Sequence, residues 1–192
     1  MKDLSIFYTV GGDQKHYDNF FKSLQSLKDR ISYPVQVLVL EGGNKLYPTS
    51  DYMTIRYDRP LTDLAGKPSN HLFFRMRYDI TRYVDPEFSL YVDIDTVFVK
   101  DTISDLIDKV DSRFGITPHF WVPTIKDYIN KALGYNDHYF ENLKKLGYNS
   151  LSNCFMAGGS FIFQNNPTNL AIIQRVVDNF EMIYERNGPN PI

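Results

Sequence analysis

Short apolar runs alternate along the chain with longer segments in which apolar residues recur at helical spacing. The run at 4–10 is apolar at nearly every position and predicts a buried first strand. The segment 14–30 carries its apolar residues on one helical face, and 35–40 is a second continuous apolar run. A strand, a helix and a strand in this order predict a βαβ unit with a right-handed crossover and a parallel sheet.

The same alternation predicts the remaining elements. No internal repeat, low-complexity segment or linker interrupts it, so the sequence predicts one α/β domain over 1–192, with a mixed, mostly parallel sheet flanked by helices. Further strands are predicted at 53–57, 89–92, 96–99, 114–117 and 160–163. Further helices are predicted over about 70–83, 103–110, 125–133, 138–146 and 167–187.

Composition and charge exclude several classes of function. Hydrophobic residues make up 43% and charged residues 23% of the 192 positions, as in ordinary folded domains. A net charge of −2 provides no basic surface for nucleic acid or an anionic membrane. The single cysteine, Cys154, allows no disulfide within the chain, which fits a reducing compartment. The sequence shows neither a signal-peptide layout nor an apolar run of membrane-spanning length, so we expect a cytoplasmic protein.

Asp93 and Asp95 are the strongest candidates for chemistry. One Asp-x-Asp pair is no more than chance predicts in a chain this rich in aspartate, so its weight comes from its position between the apolar runs 89–92 and 96–99. Carboxylates at the carboxyl end of a buried strand suit a hard divalent cation with a phosphate on its far side. Asp95 is the expected cation ligand, and Asp93 can reach a ribose hydroxyl or the same ion through water.

Four motifs follow one another along the chain. They are Asp13-Gln-Lys-His-Tyr17, Phe74-Arg75-Met76, the stretch from Leu90 to Val99, and Phe155-Met156-Ala157-Gly158-Gly159. In this order they resemble the nucleotide-sugar glycosyltransferases of the GT-A fold, most closely the family-8-like galactosyl- and glucosyltransferases, including glycogenin-type enzymes. The resemblance covers positions 4 to about 165 and implies a Rossmann-like α/β fold.

The resemblance also implies which residues contact the nucleoside of a UDP-sugar donor. The end of the first strand would face the uracil and ribose, and the start of the following helix would contact the base. Tyr17 is equally well explained as a core residue on the helix face. The implied nucleoside contacts are Thr9, Val10, Gly11, Asp13 and Tyr17.

A second set of residues is implied for the diphosphate and the sugar. Arg75 matches an arginine that contacts this region, and its delocalised charge and fixed fork suit a phosphate. An ion pair with Asp79 at i+4 is the alternative for Arg75. Lys67 is a weaker phosphate candidate. Gly158 and Gly159 would either let the backbone approach the sugar closely or form a tight turn before a strand.

The resemblance implies a metal-dependent transfer reaction. Asp93 and Asp95 would hold Mn²⁺ or Mg²⁺, and together with Arg75 they are the implied catalytic residues. The donor would be UDP-glucose or UDP-galactose, and the acceptor would be a hydroxyl group of a glycan or protein. The cation would neutralise the diphosphate and make it a leaving group.

Two features of the family are missing from this sequence. Met156 stands where members often have asparagine before Ala-Gly, and Asn153 is the substitute candidate. The late His-x-x-Gly-x-x-Lys-Pro segment, which supplies a third metal ligand in the family, does not occur before Ile192. We therefore expect either a minimal transferase or the front part of a longer protein.

The histidines do not form an alternative metal site by spacing. Most are expected at the surface, and one lies beside the only tryptophan, Trp121, where it is a candidate acceptor-site residue. That residue is His119, and the others are His16, His71 and His138.

Some sequence features also fit functions other than sugar transfer. The segment from Asp93 to Val97 also fits the motif of haloacid-dehalogenase-type phosphatases, with Asp93 as nucleophile and Asp95 as acid/base. That motif normally follows the first strand, whereas a full βαβ unit precedes it here, and no later acidic pair occurs. A nucleotidyltransferase is disfavoured because no Gly-x-Gly-Thr-Arg-like loop follows the first strand. A catalytically inactive sugar-nucleotide-binding domain remains a further alternative.

Overall fold

Strands and helices alternate through the described part of the chain, as the apolar pattern predicts. The computed structural model describes residues 2–43, 45–59, 75–83, 86–110, 114–118, 141 and 156–187. Its elements are β1 (Leu4–Val10), α1 (Gln14–Arg30), β2 (Gln36–Glu41), β3 (Met53–Arg56), a 3-10 helix (Asp79–Arg82), β4 (Phe88–Val92), α2 (Ile103–Val110), β5 (Phe114–Pro118), β6 (Met156–Gln164) and α3 (Pro167–Asn187). The predictions for β1, α1, α2 and α3 are confirmed at both ends.

β1 lies inside a six-stranded sheet with the strand order β3-β2-β1-β4-β6-β5. It pairs in parallel with β2 on one side and with β4 on the other, and β2 pairs in parallel with β3, so the predicted parallel βαβ unit is confirmed. The chain first adds strands on one side of β1 and then returns to its other side, so the order reverses between β1 and β4. In open α/β sheets, ligands bind in the crevice that such a switch point opens at the carboxyl ends of the strands.

One face of the sheet is covered by helices. Alternate side chains of a strand point to opposite faces, and the side chains of Leu4, Ile6, Tyr8 and Val10 all belong to one apolar cluster. Each fully buried side chain of this size contributes about 1.5–3 kcal/mol. The helical residues in the cluster include Phe20, Leu24 and Leu27 of α1 and Ile103, Ile107 and Val110 of α2.

An aromatic cluster covers the other side of β1 and β4. Phe161 of β6 lies at its centre and is 2% exposed. Its ring centroid is 5.1 Å from that of Tyr91, 5.4 Å from Tyr78, 5.7 Å from Phe114 and 6.0 Å from Phe7. Tyr91 packs against the rings of Phe7 and Phe161 near the end of β4, and its hydroxyl contacts Thr9 and Asp93.

The chain divides into two compact units. The first comprises Met1–Gly115 and Phe161–Pro191, and the second comprises Ile116–Ser160 with Ile192. The first unit contains β1 to β4 and therefore the switch point between β1 and β4. The organisation of 1–192 as one domain stays a prediction.

The strand predicted at 96–99 does not form. The backbone N–H of Thr96 donates to the carbonyl of Asp93 at 3.0 Å and turns the chain, and the N–H of Phe98 donates to Ser26 Oγ of α1 at 3.0 Å. The segment therefore leaves the sheet and packs beside α1. The side chains of Val97 and Val99 are 64% and 77% exposed as a result.

Other predicted elements differ from the structure or lie partly outside the described residues. Gly158 and Gly159 lie inside β6, not in a turn before it, because this strand begins at Met156. Of the helix predicted over 70–83, the structure describes a helical pair at 75–76 and the 3-10 helix. The helices predicted at 125–133 and 138–146 lie outside the described residues, apart from helical Glu141.

Candidate active site

The ends of β1 and β4 bring two sequence-predicted residues together. β1 and β4 run in parallel with Phe7 opposite Tyr91, and continuing this register by two residues places Thr9 beside Asp93. The hydroxyl of Tyr91 lies between them, 3.3 Å from Thr9 Oγ1, and donates to Asp93 Oδ1 at 2.5 Å. Burial raises the pKa of Tyr91, so its hydroxyl keeps its proton and remains a donor.

Asp93 is a half-buried carboxylate next to a cation. Burial raises the pKa of Asp93, while the charge of Arg77 and the hydrogen bond from Tyr91 act in the opposite direction. Arg77 Nη2 lies 3.5 Å from Asp93 Oδ1, and its guanidinium lies 5.0 Å from the centre of the Tyr91 ring. The structure thus adds Arg77 and Tyr91 to the site, although sequence reasoning selected neither residue.

Asp95 occupies a different environment within the same turn. It is exposed to solvent, two residues beyond Asp93, in the turn that the hydrogen bond from Thr96 to Asp93 closes. The charge of Asp95 contributes to raising the pKa of Asp93, so the two carboxylates interact electrostatically despite their different exposure. The turn therefore carries one half-buried carboxylate, that of Asp93, and one solvent-exposed carboxylate, that of Asp95.

The two carboxylates fit a hard divalent cation. Carboxylate oxygens are the ligands that Mg²⁺ and similar ions prefer, and these ions commonly keep several waters and bind substrate phosphates. Among the described residues, no group of three or more His, Cys, Asp or Glu side chains could hold a metal ion. Asp93 and Asp95 supply two such carboxylates within one turn.

Asp13 and its neighbours form the turn that follows β1. Gly12 adopts a φ of +88°, a conformation that side chains rarely allow, and Asp13 then caps α1. The Asp13 carboxylate accepts from the backbone N–H of His16 at 3.3 Å and lies 2.6 Å from His16 Nδ1. These hydrogen bonds lower the pKa of Asp13. Asp13 is exposed at the edge of the sheet where β1 ends.

Tyr17 is buried under this turn, on the first part of α1. It is 2% exposed, and its hydroxyl donates to Glu41 Oε1 at 2.7 Å. The alternative explanation of Tyr17 as a core residue is therefore present in the structure, together with a polar contact at the end of β2. Glu41 did not emerge from the sequence because it occurs where a strand gives way to glycines, a position typical of an exposed turn.

Arg75 lies in a buried network of charges. Its Nε donates to the Tyr57 hydroxyl at 2.9 Å, and its Nη1 donates to Glu181 Oε1 of α3 at 3.2 Å. The i+4 ion pair with Asp79 is also present, at 3.8 Å. Asp79 in turn accepts from Tyr57 and from Arg59. The network connects the residues just before the 3-10 helix to α3.

The remaining predicted site residues fall in both compact units and partly outside the described residues. Val10 and Gly11 are buried at the end of β1, whereas Gly158 and Gly159 belong to the second compact unit. The candidates that lie outside the described residues are Lys67, His119, Trp121 and Asn153.

Solved structures identify the fold. No protein-family model matches the sequence, and no curated protein matches it either. The galactosyltransferase LgtC, solved with donor and acceptor sugar analogues, matches with a TM-score of 0.59 at 17% identity. The match covers 95% of this chain and 63% of the LgtC chain. The chain has the GT-A glycosyltransferase fold.

Other glycosyltransferases share this GT-A fold. Mouse xyloside xylosyltransferase 1 matches with a TM-score of 0.54 at 8% identity, over 96% of this chain and 76% of that chain. GlyE of Streptococcus pneumoniae matches with a TM-score of 0.51 at 15% identity, over 97% of this chain and 40% of that chain. The GT-A fold that the motifs imply is thereby confirmed.

None of the described helices is both long and apolar enough to cross a membrane.

Proposed function

We propose that this protein is a metal-dependent, family-8-like glycosyltransferase that moves a hexose from UDP-glucose or UDP-galactose to a hydroxyl of a glycan or protein. The observation that carries the proposal is the Asp93–Asp95 turn at the switch point of a GT-A fold. The match to LgtC, solved with sugar analogues on both the donor and acceptor sides, supports it. Because this chain spans 63% of the LgtC chain, the acceptor specificity of the whole protein belongs to the proposal as well.

In this proposal, the ends of β1 and β4 form the two sides of the donor site. Thr9, Val10 and Gly11 would face the nucleoside, with Asp13 and Tyr17 on the base side. For Gly158 and Gly159, the family resemblance alone suggests a role in letting the backbone approach the sugar. The contact from Tyr91 to both Thr9 and Asp93 supports a joint role for the two strand ends.

Asp93 and Asp95 are the proposed metal ligands. Bound there, Mn²⁺ or Mg²⁺ would supply Lewis-acid stabilisation to the departing diphosphate. The protein's own part is to keep Asp93 oriented, which the Tyr91 hydroxyl and the Arg77 guanidinium do. A preorganised carboxylate and cation need no rearrangement as charge develops on the leaving group.

Arg75 and Arg77 are both candidates for steadying the donor, and lysine variants separate their roles. Arg77→Lys is expected to weaken UDP-sugar binding about tenfold, because an ammonium group lacks the guanidinium fork. Arg75→Lys is expected to lower the thermal midpoint, because it disturbs the contacts with Tyr57 and Glu181. Calorimetric titration and thermal melts measure the two effects. Weakened donor binding at an unchanged midpoint in Arg75→Lys would instead make Arg75 a direct donor contact.

The proposal as a whole is tested by thermal stability in the presence of nucleotide sugars. A ligand at 100 times its Kd stabilises the folded state by about 2.7 kcal/mol, which raises the midpoint of a protein of this size by about 5–10 °C. We expect this shift with UDP-glucose or UDP-galactose plus Mn²⁺, and a much smaller one after chelation of the metal. GDP-mannose is the control for the base. The absence of any shift with UDP-sugars would overturn the proposal.

The inactive-domain alternative predicts the same thermal shift and is distinguished by turnover. An active enzyme releases UDP from the donor in the presence of Mn²⁺ and an acceptor, whereas a binding domain does not. The phosphatase alternative is not favoured, since the matching folds are those of glycosyltransferases.

A further inference from the structure

Glu41 is a buried carboxylate at the edge of the proposed donor site. It is the last residue of β2, it pairs in register with Val10 at the end of β1, and it is 1% exposed. A buried carboxylate is costly unless hydrogen bonds and an opposite charge compensate for the lost water. Its partners therefore indicate what it does.

Three donors converge on one oxygen of this carboxylate. Glu41 Oε1 accepts from the Tyr17 hydroxyl at 2.7 Å, from the backbone N–H of Lys45 at 2.8 Å and from that of Gly43 at 3.1 Å. The other oxygen forms an ion pair with Arg56 of β3. One side chain thus connects α1, the loop after β2, and β3.

The loop held by Glu41 is also attached to the turn after β1. The backbone N–H of Gly42 donates to the carbonyl of Val10 at 2.9 Å. Lys45 Nζ donates to the carbonyl of Gly12 at 3.1 Å and lies 4.8 Å from the centre of the Tyr17 ring. The loop and the turn therefore form one connected wall at the carboxyl ends of β1 and β2.

Gly43 shows how closely this wall is packed. A Cβ atom at this position would collide with the hydroxyl of Tyr17 and would lie 3.2 Å from Glu41 Oε1. Only glycine leaves room for the hydroxyl to reach the carboxylate. A glycine at position 43 of the loop is therefore needed for the contact between Tyr17 and Glu41.

We infer that Glu41 is a positioning residue for nucleotide binding: it holds Tyr17 and the loop residues Gly42, Gly43 and Lys45 in the arrangement that receives the donor's nucleoside. This inference rests on the proposed function, because Val10, Tyr17 and the turn after β1 are the groups assigned to the nucleoside there. Glu41 and Tyr17 are 1% and 2% exposed, so the pair acts through the loop and the turn that it holds in place.

The test uses variants that keep side-chain shape. Glu41→Gln presents an amide where three donors converge, and it is expected to raise the KM for the UDP-sugar about tenfold while kcat changes less than about twofold. Tyr17→Phe keeps the ring and removes only the hydroxyl, so it is expected to raise the same KM severalfold. The double variant is expected to raise KM by less than the product of the two single effects, since both changes weaken the same contact between Tyr17 and residue 41. The concentration of Mn²⁺ giving half-maximal activity stays at the wild-type value.

Glu87→Gln is the matched control, since it is the same substitution at an exposed residue and leaves KM unchanged. The concentration of folded protein is determined from the near-ultraviolet circular dichroism spectrum, so that a loss of folding is not counted as a loss of binding. If Glu41→Gln does not fold, Tyr17→Phe and Gly43→Ala test the same contact from the other side.

Two failures are distinguishable. If the wild-type protein binds UDP-sugars and the variants at 41, 17 and 43 bind them equally well, the inference about Glu41 is wrong and the proposed function stands. If the wild-type protein itself binds no UDP-sugar, the proposed function fails and the role of Glu41 falls with it.

Discussion

Replacing Asp95 with asparagine is expected to abolish sugar transfer while the protein stays folded. The substitution removes one carboxylate from the pair that would hold the divalent cation, and loss of charge stabilisation of this kind typically costs about 10²–10³-fold in kcat. Asp95 is exposed, so the free energy of unfolding should change by less than about 0.5 kcal/mol. UDP release at saturating donor and acceptor measures the loss, and urea unfolding measures the stability.

The control for this experiment is Asp105→Asn, the same change at an exposed position on α2. It should leave turnover at the wild-type level. Turnover close to wild type in Asp95→Asn would show that the Asp93–Asp95 turn is not the metal site. An increased requirement for Mn²⁺ with partial recovery of activity would support the assignment, because it indicates weakened metal binding.

The second large effect is expected on stability, from Asp79→Asn. Asp79 is 1% exposed and accepts from the Tyr57 hydroxyl and from Arg59, and it also lies 3.8 Å from Arg75. Asparagine has nearly the same volume but no charge, so two buried or half-buried arginines lose a counter-charge. Breaking a buried ion pair by removing one partner typically costs about 3–5 kcal/mol. Urea unfolding followed by circular dichroism measures the change.

Asp178→Asn provides the comparison for Asp79→Asn, since Asp178 is an exposed aspartate on α3 that accepts a hydrogen bond from Gln174. Its effect should stay within about 0.5 kcal/mol. A loss of less than about 1 kcal/mol in Asp79→Asn would mean that the arginines find other partners and that the network contributes little to stability.

The main elements of the fold could be predicted because local patterns determine them. The helix 14–30 carries a continuous apolar face, and the strand 4–10 is buried on both sides, so each has the period of its own structure. The prediction of a strand at 96–99 was wrong because the local pattern there is misleading. Valines two residues apart are typical of a strand, but the backbone N–H of Phe98 donates to Ser26 Oγ of α1 and holds the segment outside the sheet.

The candidate site was predicted in part. Asp93 and Asp95 stood out because they follow an apolar run and belong to a series of motifs. Tyr91 lies in the same motif as the aspartates, but a tyrosine at the end of an apolar strand is equally typical of a core residue. Nothing in the local sequence of Arg77 and Glu41 distinguishes them from residues of an ordinary helix or strand. Their partners, such as Thr9 for Tyr91 and Tyr17 for Glu41, lie far away in the sequence.

The sequence by itself determined the positions of most strands and helices and the pair of aspartates at the end of β4. Hydrophobic periodicity and local turns are short-range properties, and a single segment contains all the information that they require. Only the tertiary structure decided that β4 lies beside β1, and hence that Tyr91 and Asp93 lie beside Thr9, while Glu41 meets Tyr17. Strand order depends on long-range packing between faces that are all similarly apolar, so the pattern along the chain does not specify which strands become neighbours.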